Sequence, residues 1–367
     1  MKKIIYNVSL LLLSILLLQV ACSDINTLDV DDEAQKQLLE RDKKKWAEEE
    51  AILAKNKADS IATSEENKRL YQLYLQDLRD YKKSDHLLMF GWFAYWNPVS
   101  PDPTFSLDHL PDSVDFISNW GGWNNLDQLK KDQLKRVQEK GTRVTIGWII
   151  ENVGDGINWD KTFWPDDPYE AIDAYVGAIC DSIAKYGYDG MDIDYEPSYA
   201  SPFKPGSHCG DWSNPWSENK ALISCSPTEN KEYENYFFTK MREKLGPDKL
   251  LNINGSIHWL DPKVAHLFDY FVPQSYNNTA SGWTATIMNH LQGAGVKRKQ
   301  IIYTETFQTN KSNADNFVAN YADYVLKNLG GDAGGIGAFH INEDYLHGPE
   351  YKNVKAAIRK MNPPITD

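Results

Sequence analysis

The sequence has little cysteine and no excess of positive charge. Four cysteines in 367 residues are too few for a small fold held together by disulfides. A formal net charge of −13 argues against a nucleic-acid partner, because binding to phosphates needs a basic face. With 41% apolar and 12% aromatic residues, the composition also excludes a disordered chain. We therefore expect a globular protein that binds no nucleic acid.

Long apolar runs are also missing. After residue 21 no segment approaches the roughly 20 apolar residues of a transmembrane helix. Near the start, two lysines precede a short apolar run, Val8–Leu18, and Cys22 follows. This order predicts a lipoprotein signal at residues 1–21 with Cys22 lipidated, or else an ordinary secretory signal with an unmodified cysteine. We expect an exported protein, an outer-membrane lipoprotein at the cell surface or in the periplasm, that meets the membrane only through its lipid anchor.

Residues 31–85 contain neither proline nor glycine. Their 14 acidic and 12 basic side chains are typical of a solvated helix and not of a core. We interpret residues 22–85 as a charged helical spacer. Tyrosine and leucine recur at helical spacing toward its end, so Leu70–Lys82 is predicted to pack one face on the following domain.

Beyond Asp85, short apolar runs alternate with amphipathic segments. The runs are predicted as buried strands at Leu87–Tyr95, Val114–Trp120, Arg143–Ile150, Gly190–Glu196, Leu250–Ile257, Tyr270–Tyr276, Gln300–Phe307 and Gly335–Ile341. Helices are predicted at Leu126–Lys140, Tyr169–Tyr186, Tyr233–Leu245 and Asn316–Leu329. This α/β alternation predicts a (β/α)₈ TIM barrel over residues 86–367. A doubly wound sheet is the rival fold, but no glycine-rich phosphate loop follows the first strand.

The fourth predicted strand carries acidic residues at alternate positions. Because side chains alternate along a strand, Asp192, Asp194 and Glu196 point to one side, into the barrel. Like charges this close cannot all ionise cheaply, so we expect at least one proton to be retained at neutral pH. Glu196, at the strand end, is the predicted proton donor. Asp194 is expected to be hydrogen-bonded to it, and Asp192 to lie deeper.

Metal binding is the alternative for these carboxylates. A calcium loop also alternates aspartates, but it needs glycine at its sixth position and glutamate at its twelfth. A divalent-metal site in the barrel is the other possibility, but no histidine joins these carboxylates in the sequence. A purely structural cluster of carboxylates would cost free energy. We expect neither a metal nor another cofactor.

The segment resembles the DGxDxDxE signature that glycoside hydrolase family 18 carries on its fourth strand. The five fixed positions are filled here by Asp189, Gly190, Asp192, Asp194 and Glu196. The resemblance implies retaining hydrolysis of β-1,4 bonds at N-acetylglucosamine, in which the substrate's own acetamido oxygen attacks the anomeric carbon. It also implies that Glu196 protonates the leaving oxygen and then activates water, while Asp194 orients the acetamido nitrogen.

A second segment, Gln274-Ser275-Tyr276-Asn277, is similar to the sixth-strand Q-x-Y-N of some family members. There the tyrosine holds the acetamido group, so the resemblance implies this role for Tyr276. Gln274 and Asn277 are assigned to substrate binding on the same ground. The resemblance as a whole covers about residues 87–361.

Two marks of the family are missing. The third strand usually carries SxGG, whereas residues 145–150 read TIGWII. Chitin-degrading members usually end the eighth strand with a tryptophan beneath the −1 sugar, the sugar on the glycan side of the cleaved bond. Here Phe339 or His340 takes that place, and His340 could equally be a core histidine. The loss resembles the endo-β-N-acetylglucosaminidase branch, which cuts the chitobiose core of N-glycans.

Two further features concern the surface around the site. Tryptophans cluster near predicted strand ends, and Trp123 and Trp148 are interpreted as platforms for sugar rings. The segment Pro197–Asn230 after the catalytic strand is long enough to be functional. In an exported chain, a Cys209–Cys225 disulfide could stiffen it.

The predicted partners are N-acetylglucosamine-containing glycans or glycoproteins. A chitinase or chito-oligosaccharide hydrolase is the first alternative, favoured by the shared signature. A non-catalytic, glycan-binding surface lipoprotein is the second, and the complete set of carboxylates argues against it.

Overall fold

The computed structural model describes most of the chain from residue 64 onward. The described residues are 64–150, 154, 156–157, 165, 167–196, 227–277, 279–308, 314–346 and 348–363. The predicted signal peptide, the lipidation site Cys22 and the pair Cys209 and Cys225 lie outside them.

Eight parallel strands form one sheet around a central axis. They are β1 Leu88–Ala94, β2 Phe116–Trp120, β3 Arg143–Ile149, β4 Gly190–Tyr195, β5 Leu250–Gly255, β6 Tyr270–Val272, β7 Ile302–Thr306 and β8 Gly335–Phe339. Neighbours follow the order β6-β5-β4-β3-β2-β1-β8-β7. A parallel bridge between Phe271 and Ile301 brings β6 and β7 together and nearly closes the ring. The predicted (β/α)₈ barrel is confirmed.

The α-helices surround this sheet. Among the described residues they are α1 Ser64–Lys83, α2 Gln128–Glu139, α3 Pro168–Tyr186, α4 Pro227–Leu245, α5 Ala280–Leu291, α6 Ala314–Asp323 and α7 Lys352–Met361. Helix α3 begins where Asp167 accepts hydrogen bonds from the N–H groups of Tyr169 and Glu170, and it ends at Gly187, whose φ is 80°. Within this part of the chain no helix is both long and apolar enough to cross a membrane.

Strand β6 is shorter than the predicted Tyr270–Tyr276. It ends at Val272 because Pro273 has no N–H to donate to the ladder. The hydroxyl of Ser275 makes the next link to β7, where it accepts from the N–H of Thr304 and donates to the Thr304 carbonyl oxygen, both at 3.0 Å. The chain after β6 is therefore held at the barrel mouth without being part of the sheet.

Helix α1 packs on the end of the barrel where the strands begin. Arg79 donates to the carbonyl oxygen of Glu139 at 2.9 Å, and Lys82 donates to that of Val114 at 2.8 Å. Both acceptors lie just before strands of the barrel. Leu75 and Leu78 are buried on the apolar face of this helix. The prediction that this part of the spacer packs one face on the barrel is confirmed.

The barrel interior changes from apolar to polar along its axis. Near the strand starts it is filled by Phe90, Phe116, Leu250, Val272 and Ile302. Toward the strand ends the inward side chains include Ser118, Asp192 and Asn254, all of them buried. The polar groups that could act on a substrate therefore gather at the C-terminal end of the strands, as is usual for this fold.

Candidate active site

Three carboxyl groups line the inner side of β4 and its end. Asp192 is fully buried, Asp194 is 6% exposed, and Glu196 is half-buried at the mouth. Gln274, from the segment after β6, links the outer two: its Nε2 donates to Oε1 of Glu196 at 2.8 Å and to Oδ1 of Asp194 at 3.1 Å. The expected direct hydrogen bond between Asp194 and Glu196 is not among those of the described residues. Because the Gln274 amide lies between the two groups, it bonds to both of them instead.

Asp192 is held in the interior by neutral donors. Its Oδ2 accepts from Nε1 of Trp92 at 2.8 Å and from Nδ2 of Asn254 at 3.1 Å. Burial raises the pKa of Asp192 to about 6, although hydrogen bonds from Trp92 and Asn254 oppose the rise. Asp192 therefore changes its charge near pH 6.

The pKa of Asp194 is perturbed more strongly than that of Asp192. Burial, followed by the negative charges of Glu196 and Asp192, raises its pKa well above the usual range for aspartate. In the part of the chain that the structure describes, neither lysine nor arginine forms an ion pair with these carboxylates. The site therefore retains a proton by crowding acidic groups away from water.

The glycine of the acidic motif has a steric role. Gly190 adopts φ 149°, and a β-carbon at this position would lie 1.9 Å from the carbonyl oxygen of Leu250. Strands β4 and β5 could not approach each other as they do with any larger residue here. The motif thus combines a packing requirement at its start with chemistry at its end.

An aromatic floor lies beside the carboxyl groups. The ring of Phe339, at the end of β8, has its centroid 6.0 Å from that of Trp92, 6.1 Å from Trp120 and 6.1 Å from Tyr276. Burial, and then the charges of Asp194 and Glu196, raise the pKa of Tyr276 well above its usual value. The Tyr276 hydroxyl therefore stays protonated and can donate a hydrogen bond. The structure places Phe339 and Tyr276 together, as expected.

His340 packs behind this floor, with its ring centroid 4.2 Å from that of Phe339. It is 2% exposed, and its Nδ1 lies 2.8 Å from Oε1 of Glu343. Of the two interpretations of His340, the structure supports the core histidine with a satisfied partner. Phe339 is the residue of the pair that faces the site.

Trp123 and Trp148 are not brought to the carboxyl groups. Trp148 is in register with Ile193, whereas its neighbour Gly147 is in register with Asp192, so Trp148 lies on the outer side of the sheet. Trp123 is 1% exposed and packs edge-on against Trp148 at 6.0 Å. Both belong to the apolar layer between sheet and helices. This corrects their interpretation as sugar platforms; the tryptophan that lies on the inner side of the sheet beside Phe339 is Trp120, in β2.

Asn277 is exposed, and a residue that the sequence analysis missed supports it. The Asn277 backbone has φ 60°, and its N–H donates to Oε1 of Glu305 at 3.1 Å. Glu305, in β7, is 1% exposed and also accepts from the N–H of Thr306 at 2.9 Å. An acidic residue inside an apolar strand was the signal that could have identified it. Glu305 fixes the turn that follows Tyr276.

The described residues contain no group of three or more histidine, cysteine, aspartate or glutamate side chains arranged to hold a metal ion. Carboxyl groups that retain a proton, a tyrosine hydroxyl and an aromatic floor at the mouth of a (β/α)₈ barrel define a glycoside hydrolase. The chain belongs to glycoside hydrolase family 18, and its residues 54–360 match the model of the BT1044-like group of that family.

Three similar proteins extend this assignment. Endo-β-N-acetylglucosaminidase EndoS from Streptococcus pyogenes serotype M1 is 32% identical over 121 residues, which cover 29% of this chain and 12% of that protein. The chain thus matches only a small part of that relative. A selenomethionine variant of BT1044 is 27% identical with a TM-score of 0.63, covering 81% of this chain and 95% of that one. The endo-β-N-acetylglucosaminidase from Cordyceps militaris is 21% identical with a TM-score of 0.57, covering 79% and 96%, and shares the fold.

Proposed function

We propose that the protein is an endo-β-N-acetylglucosaminidase that cleaves the β-1,4 bond in the chitobiose core of N-glycans, with the substrate's acetamido group as nucleophile. The observation that carries this proposal is the side-by-side position of Asp194 and Glu196 around one nitrogen atom of Gln274. Asp194 and Glu196 project from the same side of one strand and share one amide donor, so they approach a sugar ring from the same side. A nucleophile other than a second carboxylate is therefore needed, and the acetamido oxygen supplies it.

The proton is used in two steps. The crowded carboxyl groups hold one proton in the resting site, where burial keeps the pKa of Asp194 high. When the N–H of the acetamido group donates to Asp194, it favours the ionised form of this carboxyl and leaves the proton to Glu196. Glu196 then protonates the leaving oxygen as its bond to the anomeric carbon breaks. It later takes a proton from the water that opens the cyclised intermediate.

Tyr276 and the aromatic floor complete the site. The Tyr276 hydroxyl, protonated throughout, donates to the acetamido oxygen and directs it toward the anomeric carbon. The apolar face of the −1 sugar lies on Phe339 with Trp120 beside it, while the buried Trp92 packs against Phe339 from inside the barrel. Holding the nucleophile at the reacting carbon replaces a bimolecular encounter with an intramolecular one, which is a large part of the rate gain in such reactions.

The choice of an N-glycan over linear chitin has separate support. Phe339 stands at the end of β8, where chitin-degrading members usually carry a tryptophan, so the floor has a smaller ring. The names of EndoS and of the Cordyceps militaris protein give the same activity for those two relatives. A chitinase is the second candidate, because the chemistry at the −1 sugar would be identical.

Digestion of a glycoprotein and of chitin oligomers in parallel tests the proposal. We expect mass spectrometry to find a single N-acetylhexosamine left on asparagine and the released sugar to retain its anomeric configuration. A thiazoline that mimics the cyclised intermediate should inhibit competitively, because it resembles a state bound more tightly than substrate. Cleavage of chitin oligomers with intact glycoprotein would transfer the assignment to a chitinase. Binding without cleavage of either would favour the non-catalytic alternative.

A further inference from the structure

Behind the catalytic strand lies a buried carboxyl group that the proposed mechanism does not use. Glu234, in α4, is fully buried. Its Oε2 accepts from the hydroxyl of Tyr195 at 2.8 Å, and its Oε1 accepts from Nζ of Lys231 at 2.6 Å. Tyr195 stands between Asp194 and Glu196 in the acidic motif. Because the desolvation of a buried ion pair offsets most of its attraction, stability alone does not account for this group.

The side chain of Tyr195 points away from the catalytic site. Asp194 and Glu196 project into the barrel, so Tyr195 between them projects outward. There it is 3% exposed and packs edge-on against Phe238 of α4, with 5.9 Å between the ring centroids. Its hydroxyl reaches Glu234 on this outer side. Glu234 therefore lies behind β4 as seen from the barrel axis, and any effect that it has on a substrate must pass through β4.

The segment after β5 connects the same groups a second time. The N–H of Ser256 donates to the carbonyl oxygen of Tyr195 at 2.7 Å. The N–H of Trp259 donates to the carbonyl oxygen of Ser256 at 3.0 Å, and Lys231 donates to that of Trp259 at 2.8 Å. Because Lys231 is also bound to Glu234, these hydrogen bonds form a closed circuit. We call it the Glu234 network; its members are Glu234, Lys231, Tyr195, Ser256 and Trp259.

The network holds the backbone that carries the proton donor. The Tyr195 carbonyl group belongs to the peptide unit that leads into Glu196. Gly255 approaches this unit closely, since a β-carbon there would lie 2.6 Å from the Tyr195 carbonyl oxygen and 3.3 Å from Cγ of Glu196. The peptide unit is thus fixed by Ser256 from the side of β5 and by the Tyr195 side chain from the side of α4. A buried network with satisfied hydrogen bonds makes the groups that it joins more rigid.

We propose that Glu234 is a positioning residue for the proton donor Glu196. Through Lys231 and Tyr195 it fixes the end of β4, and so the direction in which the proton is delivered. This inference rests on the proposed function, because the role of Glu196 is taken from there. General-acid catalysis requires the donor to lie within hydrogen-bond reach of the leaving oxygen, and a displacement of about 1 Å can cost about 10²-fold in rate. Loosening the network should therefore slow the step that needs the proton.

Two substrates with the same glycan and different leaving groups test the inference. One has the natural N-acetylglucosamine leaving group, and the other has 2,4-dinitrophenol, which is acidic enough to leave without a proton from the enzyme. For Glu234→Ala we expect kcat/KM to fall about 10–10²-fold on the first substrate and to change little on the second. Because kcat/KM covers the steps up to bond cleavage, the later activation of water by Glu196 does not enter the comparison.

Three further variants sharpen this test. Glu234→Gln keeps the shape and the hydrogen bonding of the side chain and should restore most of the loss. Tyr195→Phe removes one hydroxyl and should show the same pattern more weakly; it decides the comparison if Glu234→Ala does not fold. Glu243→Ala is the matched control and should leave both constants unchanged. Glu243 lies in the same helix and pairs with Lys240, also three residues before it, at 2.8 Å, but 57% of its side chain is exposed.

Equal losses on the two substrates would overturn the inference, because they would show that Glu234 supports the fold and not the proton donor. Wild-type kcat/KM on both substrates would overturn it too. Hydrogen exchange gives a readout without turnover: the Ser256 amide should exchange about tenfold faster in Glu234→Ala than in the wild type. Equal exchange would overturn the inference whatever the hydrolysis result.

Other outcomes would overturn the proposed function instead. One is a wild type that cleaves no glycan although Glu234→Ala speeds the exchange of the Ser256 amide. Another is a wild type that cleaves only chitin oligomers, and the two leaving groups would then be compared on a chitin oligomer.

Discussion

The two ends of the barrel treat acidic residues in opposite ways. Where the strands begin, Asp112 forms an ion pair with Lys140 at 2.7 Å. Asp115 lies 2.9 Å from Nε2 of His86 and accepts the N–H of Met89 at 2.7 Å. Where the strands end, the carboxyl groups of β4 meet neutral amide and indole donors and one another.

Pairing at one end stabilises the fold, whereas crowding at the other end serves the proposed chemistry. At the end where the strands begin, which we call the closed end, the charged side chains are paired. These pairs hold helix α1 and the loops that precede the strands in place. At the other end, where the strands finish, burial raises the pKa of Asp192, and burial together with the charges of Glu196 and Asp192 raises that of Asp194, which costs folding free energy whenever these groups are ionised. A strongly shifted pKa without a neighbouring cation is typical of groups that transfer protons. The inward-facing carboxyl groups that resist ionisation therefore lie at the end where the strands finish.

The most severe test of the end where the strands finish is Glu196→Gln. The amide keeps the shape of the side chain and can still accept from Gln274, but it cannot donate the catalytic proton. We expect kcat to fall about 10²–10⁴-fold with folding unchanged. Glu139→Gln, the same change on the surface of α2, is the matched control and should turn over normally. A Glu196→Gln enzyme with near wild-type kcat would remove the proton donor from the proposed mechanism.

Leu78→Ala should produce the reverse result at the closed end. Leu78 is fully buried in α1, so truncation should lower the free energy of unfolding by about 2–5 kcal/mol. Urea unfolding measures the loss, and kcat per folded molecule should stay at the wild-type level. Leu129→Ala, at a position 52% exposed in α2, should change stability little. Equal unfolding midpoints for the two variants would mean that α1 does not unfold together with the barrel.

Asp192→Asn should change how stability depends on pH. The pKa of Asp192 rises from 3.8 to about 6 on folding, so its protonation stabilises the folded state fully below about pH 4, and this stabilisation is lost as the pH rises through 6. Asparagine does not titrate. The free energy of unfolding of the variant, relative to that of the wild type, should therefore rise by up to about 3 kcal/mol between pH 4 and pH 7.

Thermal or urea unfolding across this pH range measures the difference. Leu129→Ala, at an exposed position in α2, changes no titratable group; it is the control, and its curve should run parallel to that of the wild type at every pH. Parallel curves for Asp192→Asn and the wild type would mean that Asp192 is not perturbed by burial.

Much of this architecture could be predicted from the sequence because it depends on local patterns. Apolar runs alternating with amphipathic segments predicted the strands and helices, and the strand period of two placed the three carboxyl groups on one side of β4. Pro273 ended β6 earlier than predicted, because it has no N–H to bond to the neighbouring strand. The apolar run through it suggested a longer strand, since such a run does not show which N–H groups the sheet needs. Trp148 was misplaced for a related reason. Its closeness to a strand end suggested the mouth, whereas the register with β4 puts it on the outer side.

The sequence by itself determined the barrel, the order of its elements and the identity of the acidic motif, because hydrophobic periodicity and side-chain alternation are properties of neighbouring residues. Only the tertiary structure decided what surrounds the motif. It placed Gln274 between Asp194 and Glu196, turned Trp120 inward and Trp148 outward, and set Glu305 under the turn after Tyr276. These contacts join residues far apart in the chain, and they depend on the register in which parallel strands close the barrel.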